Sequence, residues 1–199
     1  MNEKEDLVLI EIRSDKTAIN NGISLSTKLI ILNELKGEKI LDYGCGKLRN
    51  SKRLLEENFD ITIFDTKIQL ENIKDIIPSK IKILKDKDKK FNVILNTFVL
   101  NVIPNIEDRI FILKDIENLL NVNGQVYIEV RKEDFSKNKT SKKYKDGYIL
   151  KKGKYITFQK SYTLEELKKF VKKNTNLEIV YEKSTSNSCL IIAKKINKN

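Results

Sequence analysis

The chain of 199 residues contains no histidine and no tryptophan, and it has only two cysteines and two prolines. The absence of histidine removes the side chain that most often acts as a general base near neutral pH. Cys45 and Cys189 lie far apart and neither has a CxxC partner, so their pattern argues against a zinc site or a disulfide framework. We therefore expect no bound metal.

Long hydrophobic runs are also missing. No apolar stretch approaches the roughly 20 residues that a membrane-spanning helix needs. The N-terminus, Met-Asn-Glu-Lys-Glu-Asp, lacks the apolar segment of a signal peptide. These features predict a protein of the cytoplasm without a membrane partner, and they do not indicate an oligomeric state.

What the chain does contain is a globular proportion of apolar residues and a large excess of positive charge. Hydrophobic residues make up 40% of the chain, charged residues 34%, and the formal net charge is +11. Such a charge favours an anionic partner such as nucleic acid. However, 34 lysines stand against five arginines, with 20 asparagines, and an A/T-rich coding sequence would produce the same bias. Both interpretations stay open.

Strand-like and helix-like segments alternate along most of the chain. Strands are predicted at 39–42, 61–64, 81–84, 91–95, 125–130, 177–181 and 189–193. Apolar residues at helical spacing predict helices at 24–36, 51–58, 68–77, 106–120 and from the capping box formed by Thr163 and Glu166. This order indicates one α/β domain whose sheet has an antiparallel edge.

Two segments fall outside that alternation. Residues 1–22 mix short apolar stretches with polar turns and are expected to form an N-terminal arm. Residues 132–160 contain ten lysines interleaved with aromatic residues, and we expect a basic, lid-like insertion. Lysines beside tyrosines suit a phosphate-bearing chain with bases to stack on, although a solvated hairpin explains the same composition.

The first predicted strand runs into a glycine turn of the kind that cofactors occupy. Gly44 and Gly46 allow a close approach of the backbone, but Arg49 stands where a nicotinamide-binding turn needs its third glycine. Asp42 ends the strand, and its carboxylate suits a cationic ligand. Asp65 closes the second strand 19 residues after Gly46, where a carboxylate can accept both ribose hydroxyls.

These residues resemble motif I and the ribose-binding acid of class I S-adenosylmethionine-dependent methyltransferases. The segment 93–104 resembles their fourth strand and the short helix after it. The resemblance implies a Rossmann-like, seven-stranded mixed sheet with helices on both faces and an antiparallel last strand. It also implies S-adenosylmethionine as cofactor, bound by Asp42, Tyr43, Gly44, Cys45, Gly46, Asp65, Thr66, Asn96, Thr97 and Phe98.

A narrower resemblance is to the methyltransferase-like proteins associated with DNA phosphorothioation. It rests on the segments 16–19, 42–46, 100–103 and 157–160, and it implies a setting of bacterial DNA modification or defence. Those proteins usually carry a further glycine in the motif, where this chain has Leu48. We expect Leu48 to crowd the methionine end of the cofactor unless the turn is reshaped.

The methyl acceptor is less well indicated. The chain lacks the Asp/Asn-Pro-Pro-Tyr-like motif of amino-methylating enzymes and the Pro-Cys of carbon-5 cytosine methylation, so both common routes to DNA base methylation are disfavoured. Glu129 and Asn101 are candidate catalytic groups, with a packing or capping role as the alternative for Asn101. Candidate substrate-binding residues are Lys16, Arg131, Phe158, Gln159 and Lys160.

Three functions are consistent with these patterns. The first is methylation of a nucleic acid or another phosphate-bearing acceptor, and the second is methylation of a small molecule or a protein side chain. The third is a methyltransferase-like binding module without turnover, motivated by Leu48 and by the missing nucleobase motifs.

Overall fold

A computed structural model describes residues 12–19, 22–35 and 37–197. Seven strands form the main sheet and three more form a separate small sheet. The strands of the main sheet are β1 (Lys39–Tyr43), β2 (Asp60–Phe64), β3 (Lys82–Ile83), β4 (Phe91–Thr97), β5 (Leu120–Arg131), β9 (Glu178–Ser184) and β10 (Ser188–Lys194). The small sheet contains β6 (Lys142–Tyr144), β7 (Gly147–Lys152) and β8 (Tyr155–Gln159).

The main sheet has the order β3-β2-β1-β4-β5-β10-β9. The first five of these strands run parallel, whereas β10 is antiparallel to both β5 and β9. The predicted fold class, a Rossmann-like mixed sheet with an antiparallel last strand, is confirmed. Buried aliphatic side chains form one apolar cluster on each face of the sheet. Because both faces are buried, the strand sequences are nearly continuous runs of apolar residues.

The helices cover both faces of this sheet. They are α1 (Leu25–Leu32), α2 (Arg49–Glu56), α3 (Lys67–Ile73), α4 (Ile106–Leu119) and α5 (Leu164–Asn174). The predicted capping box at the start of α5 is present, with Thr163 accepting from the Glu166 amide and Glu166 accepting from the Thr163 amide. Helix α2 begins two residues earlier than predicted, because Leu48 already serves as its N-cap.

The segment predicted as a lid contains the small sheet β6-β7-β8, and its two hairpins are antiparallel. Its core is Phe158, which is fully buried and meets Tyr144 edge-on at 6.4 Å between ring centroids. Gly147 is required here, since a Cβ at this position would lie 2.5 Å from the Phe158 ring. We call residues 132–160 the lid.

Residues 12–19 of the predicted arm pack against the lid. Ile12 forms a parallel bridge with Ile156, and the Arg13 amide donates to the Ile156 carbonyl at 2.8 Å. The Lys152 ammonium donates to the Lys16 carbonyl at 2.7 Å. The rest of the predicted arm falls on residues 1–11 and 20–21, which lie outside the described residues.

Two further findings concern membranes and metal ions. Within the described ranges, no helix is both long and apolar enough to cross a lipid bilayer. In the same part of the chain, no group of three or more histidine, cysteine, aspartate or glutamate side chains has a geometry that could hold a metal ion.

Candidate functional site: a cavity at the carboxyl ends of the strands

A cavity of about 240 Å³ lies at the carboxyl ends of β2, β1, β4 and β5. Neighbouring connections leave β1 and β4 in opposite directions, and this switch point is where open α/β sheets bind their ligands. The arm lines one side of the cavity through Ser14, Asp15, Thr17, Ala18 and Ile19. A Cβ on Gly46 would lie 3.2 Å from the Ala18 Cβ, so the arm sits directly on the glycine turn.

The glycine turn forms the floor of the cavity. Gly44 and Gly46 have φ angles of +86° and +54°, in the left-handed region that glycine adopts without strain. A Cβ on Gly44 would overlap the Val99 Cγ2 atom, so no larger residue fits. The amides of Gly44 and Cys45 both donate to the Phe64 carbonyl, which fastens the turn to the end of β2.

Asp65 stands beside this turn, at the position predicted to bind ribose. Its Oδ2 accepts from the Gly46 amide at 2.8 Å and its Oδ1 accepts from the Thr66 amide at 2.7 Å. Burial raises the pKa of the Asp65 carboxyl, and these amide hydrogen bonds oppose that rise. The Gln69 side-chain amide donates to the Gly46 carbonyl at 2.6 Å, so the turn, Asp65 and the start of α3 are held as one unit.

These residues fit S-adenosylmethionine. The cofactor needs acceptors for a ribose diol and for an ammonium, together with apolar walls for an adenine and a thioether. Asp65 offers a fixed carboxylate, while Phe64, Val99 and Ile103 line the cavity with apolar surface. Asn101 also lines the cavity, and its buried Oδ1 has no hydrogen-bond partner. A ligand that brings a donor would satisfy it.

Two of the predicted cofactor residues lie behind the cavity wall rather than on it. Asp42 is 1% exposed, and its Oδ2 accepts from the Ser51 hydroxyl at 2.5 Å. Burial raises the pKa of Asp42 to about 6, and the Ser51 hydrogen bond opposes this. Asn96 is fully buried, and its side-chain amide donates to the Tyr43 carbonyl at 3.3 Å. Asn96 thus holds the residue before the glycine turn, and Asp42 holds the helix that follows it.

The remaining predicted cofactor residues line the cavity: Tyr43, Gly44, Cys45, Gly46, Asp65, Thr66, Thr97 and Phe98. Tyr43 is anchored by its hydroxyl, which donates to Asp115 at 2.7 Å. Thr97 is anchored by a 2.9 Å hydrogen bond between its hydroxyl and that of Ser26. The site is therefore built from side chains whose positions are set by neighbours outside it.

The crowding expected from Leu48 is wrong. Leu48 has φ +65° and ψ 17°, the same left-handed conformation that a glycine would adopt at this position. Its side chain is fully buried in the apolar cluster that includes Ile30, Leu54 and Ile63, and it does not line the cavity. The Leu48 side chain therefore packs into the apolar core and does not obstruct the cavity.

The candidate catalytic residues occupy different environments. Glu129 is 2% exposed and accepts from the Ser26 amide at 2.9 Å and from the Ser26 hydroxyl at 3.1 Å. It holds the start of α1 and does not line the cavity. Asn101 does line it, and its side-chain amide donates to Gln159 at 2.9 Å. This contact brings the lid to the cavity.

The candidate substrate-binding residues divide in the same way. Gln159 and Arg131 line the cavity, whereas Phe158 is buried within the lid. Lys16 pairs with Asp15 at 2.9 Å, and the Lys160 ammonium lies 3.7 Å from Asp146, at a second depression on the far side of the lid. The cavity therefore brings together two of the five candidate substrate-binding residues.

Arg49 also lines the cavity, and sequence reasoning did not identify it as a site residue. Its guanidinium carbon lies 5.3 Å from the Phe98 ring centroid, and that of Arg131 lies 4.7 Å from the same centroid. The signal that could have found it is the scarcity of arginine. Only five are present, and one stands three residues after Gly46.

Comparison with known proteins identifies the class of protein to which the chain belongs. Residues 22–182 match the family described as "Methyltransferase domain". The chain therefore belongs to the methyltransferase domain family, whose methyl donor is S-adenosylmethionine. This agrees with the cofactor expected from the glycine turn and Asp65.

Among individual relatives, the chain is 31% identical over 143 residues to the uncharacterized protein YmfD of Escherichia coli K12. That match covers 62% of this chain and 65% of YmfD, so it spans slightly less than two thirds of the relative.

Solved structures share the fold. A SAM-dependent methyltransferase from Methanosarcina mazei is 19% identical with a TM-score of 0.64, and the match covers 85% of this chain and 98% of that one. The 1,6-didemethyltoxoflavin-N1-methyltransferase of Burkholderia thailandensis, solved with its substrate and S-adenosylhomocysteine, is 13% identical with a TM-score of 0.63. In that case 98% of this chain and 84% of the other are covered.

Proposed function

We propose that the chain is an active S-adenosylmethionine-dependent methyltransferase whose cofactor is held in the cavity by the glycine turn and Asp65. The observation that carries this proposal is the fixed Asp65 carboxylate beside a turn in which Gly44 has no room for a side chain. When bound, the cofactor supplies an electrophilic methyl group. The chain itself supplies the fixed acceptor at Asp65 and a cavity covered by the arm and the lid.

Positioning is the main catalytic contribution that these residues can make. The carboxylates that line the cavity are Asp65 and Asp15, and Asp15 is already paired with Arg13 and Lys16. Asn101 offers an unpartnered Oδ1 that can accept from an incoming N–H or O–H and so orient an acceptor atom. Holding two reactants in line can supply roughly 7–11 kcal/mol of barrier reduction without a general base.

The cofactor site is tested by calorimetric titration with S-adenosylmethionine. Asp65→Ala and Asp65→Asn should weaken binding at least about tenfold, since a charged acceptor is lost from the wall. Asp60→Ala is the matched control, because Asp60 begins the same strand and makes only an exposed pair with Lys82. Folded wild type that binds no S-adenosylmethionine, with or without DNA, would refute the proposal.

For the acceptor, we propose a phosphate-bearing molecule. The first candidate is a nucleic acid that is methylated in a DNA-modification setting. The net charge of +11, the lysines of the lid and the two arginines at the cavity support an anionic acceptor. The likeness to proteins associated with DNA phosphorothioation supports the setting. The same likeness makes Lys160 and Gln159 the first lid residues to substitute.

A small-molecule acceptor is the second candidate, and the covered cavity favours it. Residues of the arm and Gln159 of the lid line the site and narrow the approach to it. A narrowed site suits a small acceptor better than a duplex.

Radiolabelled methyl transfer separates these candidates. Double-stranded DNA, single-stranded RNA and mononucleotides are offered at low and high salt. Labelled polymer together with an affinity that falls steeply with salt supports the nucleic acid. Labelled mononucleotide supports the small acceptor, and cofactor binding without transfer to any of them supports a binding module without turnover.

A further inference from the structure

Two guanidinium groups face one aromatic ring at the β4–β5 end of the cavity. Arg49 begins α2, Phe98 follows β4, and Arg131 ends β5, yet all three line the same wall. We call Arg49 and Arg131 the arginine pair. Asp65 stands after β2, three strands away from β5, so Arg131 is separated from the ribose position by roughly 14 Å of sheet.

Electrostatics make this wall receptive to an anion. Burial lowers the pKa of Arg49, the Glu129 and Asp42 carboxylates raise it, and the charge of Arg131 lowers it, so the two cations lie close enough to repel each other. Both carboxylates lie behind the cavity wall, whereas the two arginines line it. Among the described residues, no carboxylate lies within 4.0 Å of the Arg131 guanidinium.

Two further features mark the wall as a ligand site. Phe98 has a φ of +58°, an uncommon conformation for a bulky side chain, and its amide donates to the Glu129 carbonyl at 2.7 Å. Asn101, three residues later, is 1% exposed and lines the same cavity, and its Oδ1 has no partner. Because this acceptor lies at the cavity, a ligand that brings a donor would satisfy it.

We infer that Arg49 and Arg131, set against Phe98, bind a single oxyanion of a molecule held in this cavity, with Asn101 accepting from a donor on that molecule. Guanidinium groups match the planar oxygens of carboxylate and phosphate better than lysine does, and their faces stack on aromatic rings. The oxyanion has two possible sources, the methionyl carboxylate of the cofactor and a phosphate of the acceptor. This inference rests on the proposed function, because the cofactor defines the rest of the cavity.

The test compares ligands that differ in the oxyanion. S-adenosylhomocysteine carries the amino-acid carboxylate, whereas 5′-methylthioadenosine keeps the adenosine and the sulfur but lacks that carboxylate. Both are titrated calorimetrically into wild type, Arg49→Gln and Arg131→Gln. Inorganic phosphate and pyrophosphate are then titrated into the same proteins saturated with S-adenosylhomocysteine.

Arg53→Gln is the matched control. Arg53 lies one turn after Arg49 on the same helix, but it points outward to Glu56 and Glu57. Arg131→Lys serves as a second variant that keeps the positive charge, and thermal unfolding of every variant verifies that it is folded.

If the pair binds the cofactor carboxylate, both Gln variants weaken S-adenosylhomocysteine by about tenfold to 100-fold and leave methylthioadenosine unchanged. If it binds an acceptor phosphate, both nucleosides bind as in wild type, while phosphate or pyrophosphate binding to the complex is lost. Arg131→Lys gives an intermediate loss in either case, and Arg53→Gln changes nothing.

The inference is overturned if folded Gln variants bind every probe like wild type. It is also overturned if they weaken both nucleosides equally, since the arginines would then only shape the cavity. Wild type that binds neither nucleoside contradicts the proposed function instead. In that case phosphate is titrated into the free proteins, and binding that both Gln variants abolish would still support the arginine pair.

Discussion

At the scale of single residues, Leu48 shows how the chain accommodates a side chain where glycine would be expected. A left-handed conformation costs a non-glycine residue roughly 1–2 kcal/mol. Complete burial of the leucine side chain stabilises the folded protein by about 1.5–3 kcal/mol through the hydrophobic effect. The two effects are of similar size, so the turn retains its shape while the side chain strengthens the core between α1 and α2.

This balance predicts an unusual order of stability for substitutions of Leu48. Leu48→Ala should destabilise the protein by about 2–5 kcal/mol, because it leaves a cavity and keeps the left-handed strain. Leu48→Gly removes one more carbon but also removes the strain, and glycine is preferred over alanine at an N-cap. We expect the glycine variant to be the more stable of the two in urea unfolding. A glycine variant that unfolds at lower urea than the alanine variant would contradict this account.

Asp42 carries a pH dependence that can be predicted with its sign. Its pKa is about 6 in the folded protein, compared with roughly 3.9 in an unfolded chain. Between these values the folded state binds more protons than the unfolded state, so this residue's contribution to stability is fully present below pH ~4. It is lost as the pH rises towards 6. The loss is on the order of 3 kcal/mol at neutral pH.

Asp42→Asn should remove this dependence, since an amide oxygen can still accept from Ser51 and carries no charge. The free energy of unfolding of the variant, relative to wild type, is expected to rise by up to about 3 kcal/mol between pH 4 and pH 7. Urea titrations across that range measure the difference. Asp60→Asn, at an exposed site, should give a flat difference, and a flat result for Asp42→Asn would show that the carboxyl is not destabilised by burial.

At the scale of elements, a buried arginine connects helix α4 to the lid. Arg109 is 1% exposed, and its guanidinium makes two hydrogen bonds to Asp146, at 2.7 and 2.9 Å. It also donates to the Tyr162 hydroxyl at 2.9 Å. Bidentate hydrogen bonds constrain both the distance and the orientation of the two groups. The Arg109–Asp146 ion pair therefore fixes the turn between β6 and β7 on the body of the protein.

Loss of the Asp146 charge should loosen the lid before it affects the main sheet. Asp146→Asn leaves the buried guanidinium without its counter-ion, and we expect a cost of about 1–3 kcal/mol, reduced by the partial exposure of the Asp146 side chain. Amide hydrogen exchange should accelerate in β7 and β8 and remain unchanged in β1 and β4. Glu165→Gln is the control, because Glu165 makes only an exposed pair with Lys168. Equal acceleration in all four strands would indicate global destabilisation instead.

At the scale of the whole molecule, the arm, the lid and the sheet meet around one cavity. The arm contacts the lid at Ile156 and the segment after β4 through the Ser14 hydroxyl, which donates to the Val102 carbonyl at 3.1 Å. The lid reaches the same segment through Gln159 and the Lys160 amide. Two segments that lie far apart in sequence therefore border the entrance to the site.

Deletion of residues 1–19 should leave the main sheet folded, since the described part of the arm, residues 12–19, contributes no strand to it. We expect S-adenosylmethionine to bind about tenfold more weakly, because the deletion removes one wall of the cavity. The dissociation rate should account for most of the loss, as a cover mainly slows escape. Stopped-flow measurements test this, with circular dichroism as the control for folding. Unchanged dissociation would show that the arm does not retain the ligand.

The sequence alone was sufficient for the architecture of the main sheet, and it predicts one end of the site. Periodic apolar residues predicted the order of strands and helices, and the glycine turn with Asp65 predicted the cofactor position, because these signals depend on backbone conformation within a few residues. The capping box at Thr163 and Glu166 was predicted for the same reason. The exact start of α2 was missed, since a leucine N-cap in the left-handed region has no local signature.

Only the tertiary structure decided which polar side chains reach the cavity. Asp42, Glu129 and Asn101 all lie near the carboxyl ends of strands, yet only Asn101 lines the site, because the first two are taken up by Ser51 and Ser26. The pairing of Arg49 with Arg131 also depends on strands β1 and β5 being brought to either side of β4. Sequence patterns record local conformation and burial, whereas the partner of a buried polar group is set by contacts distant along the chain.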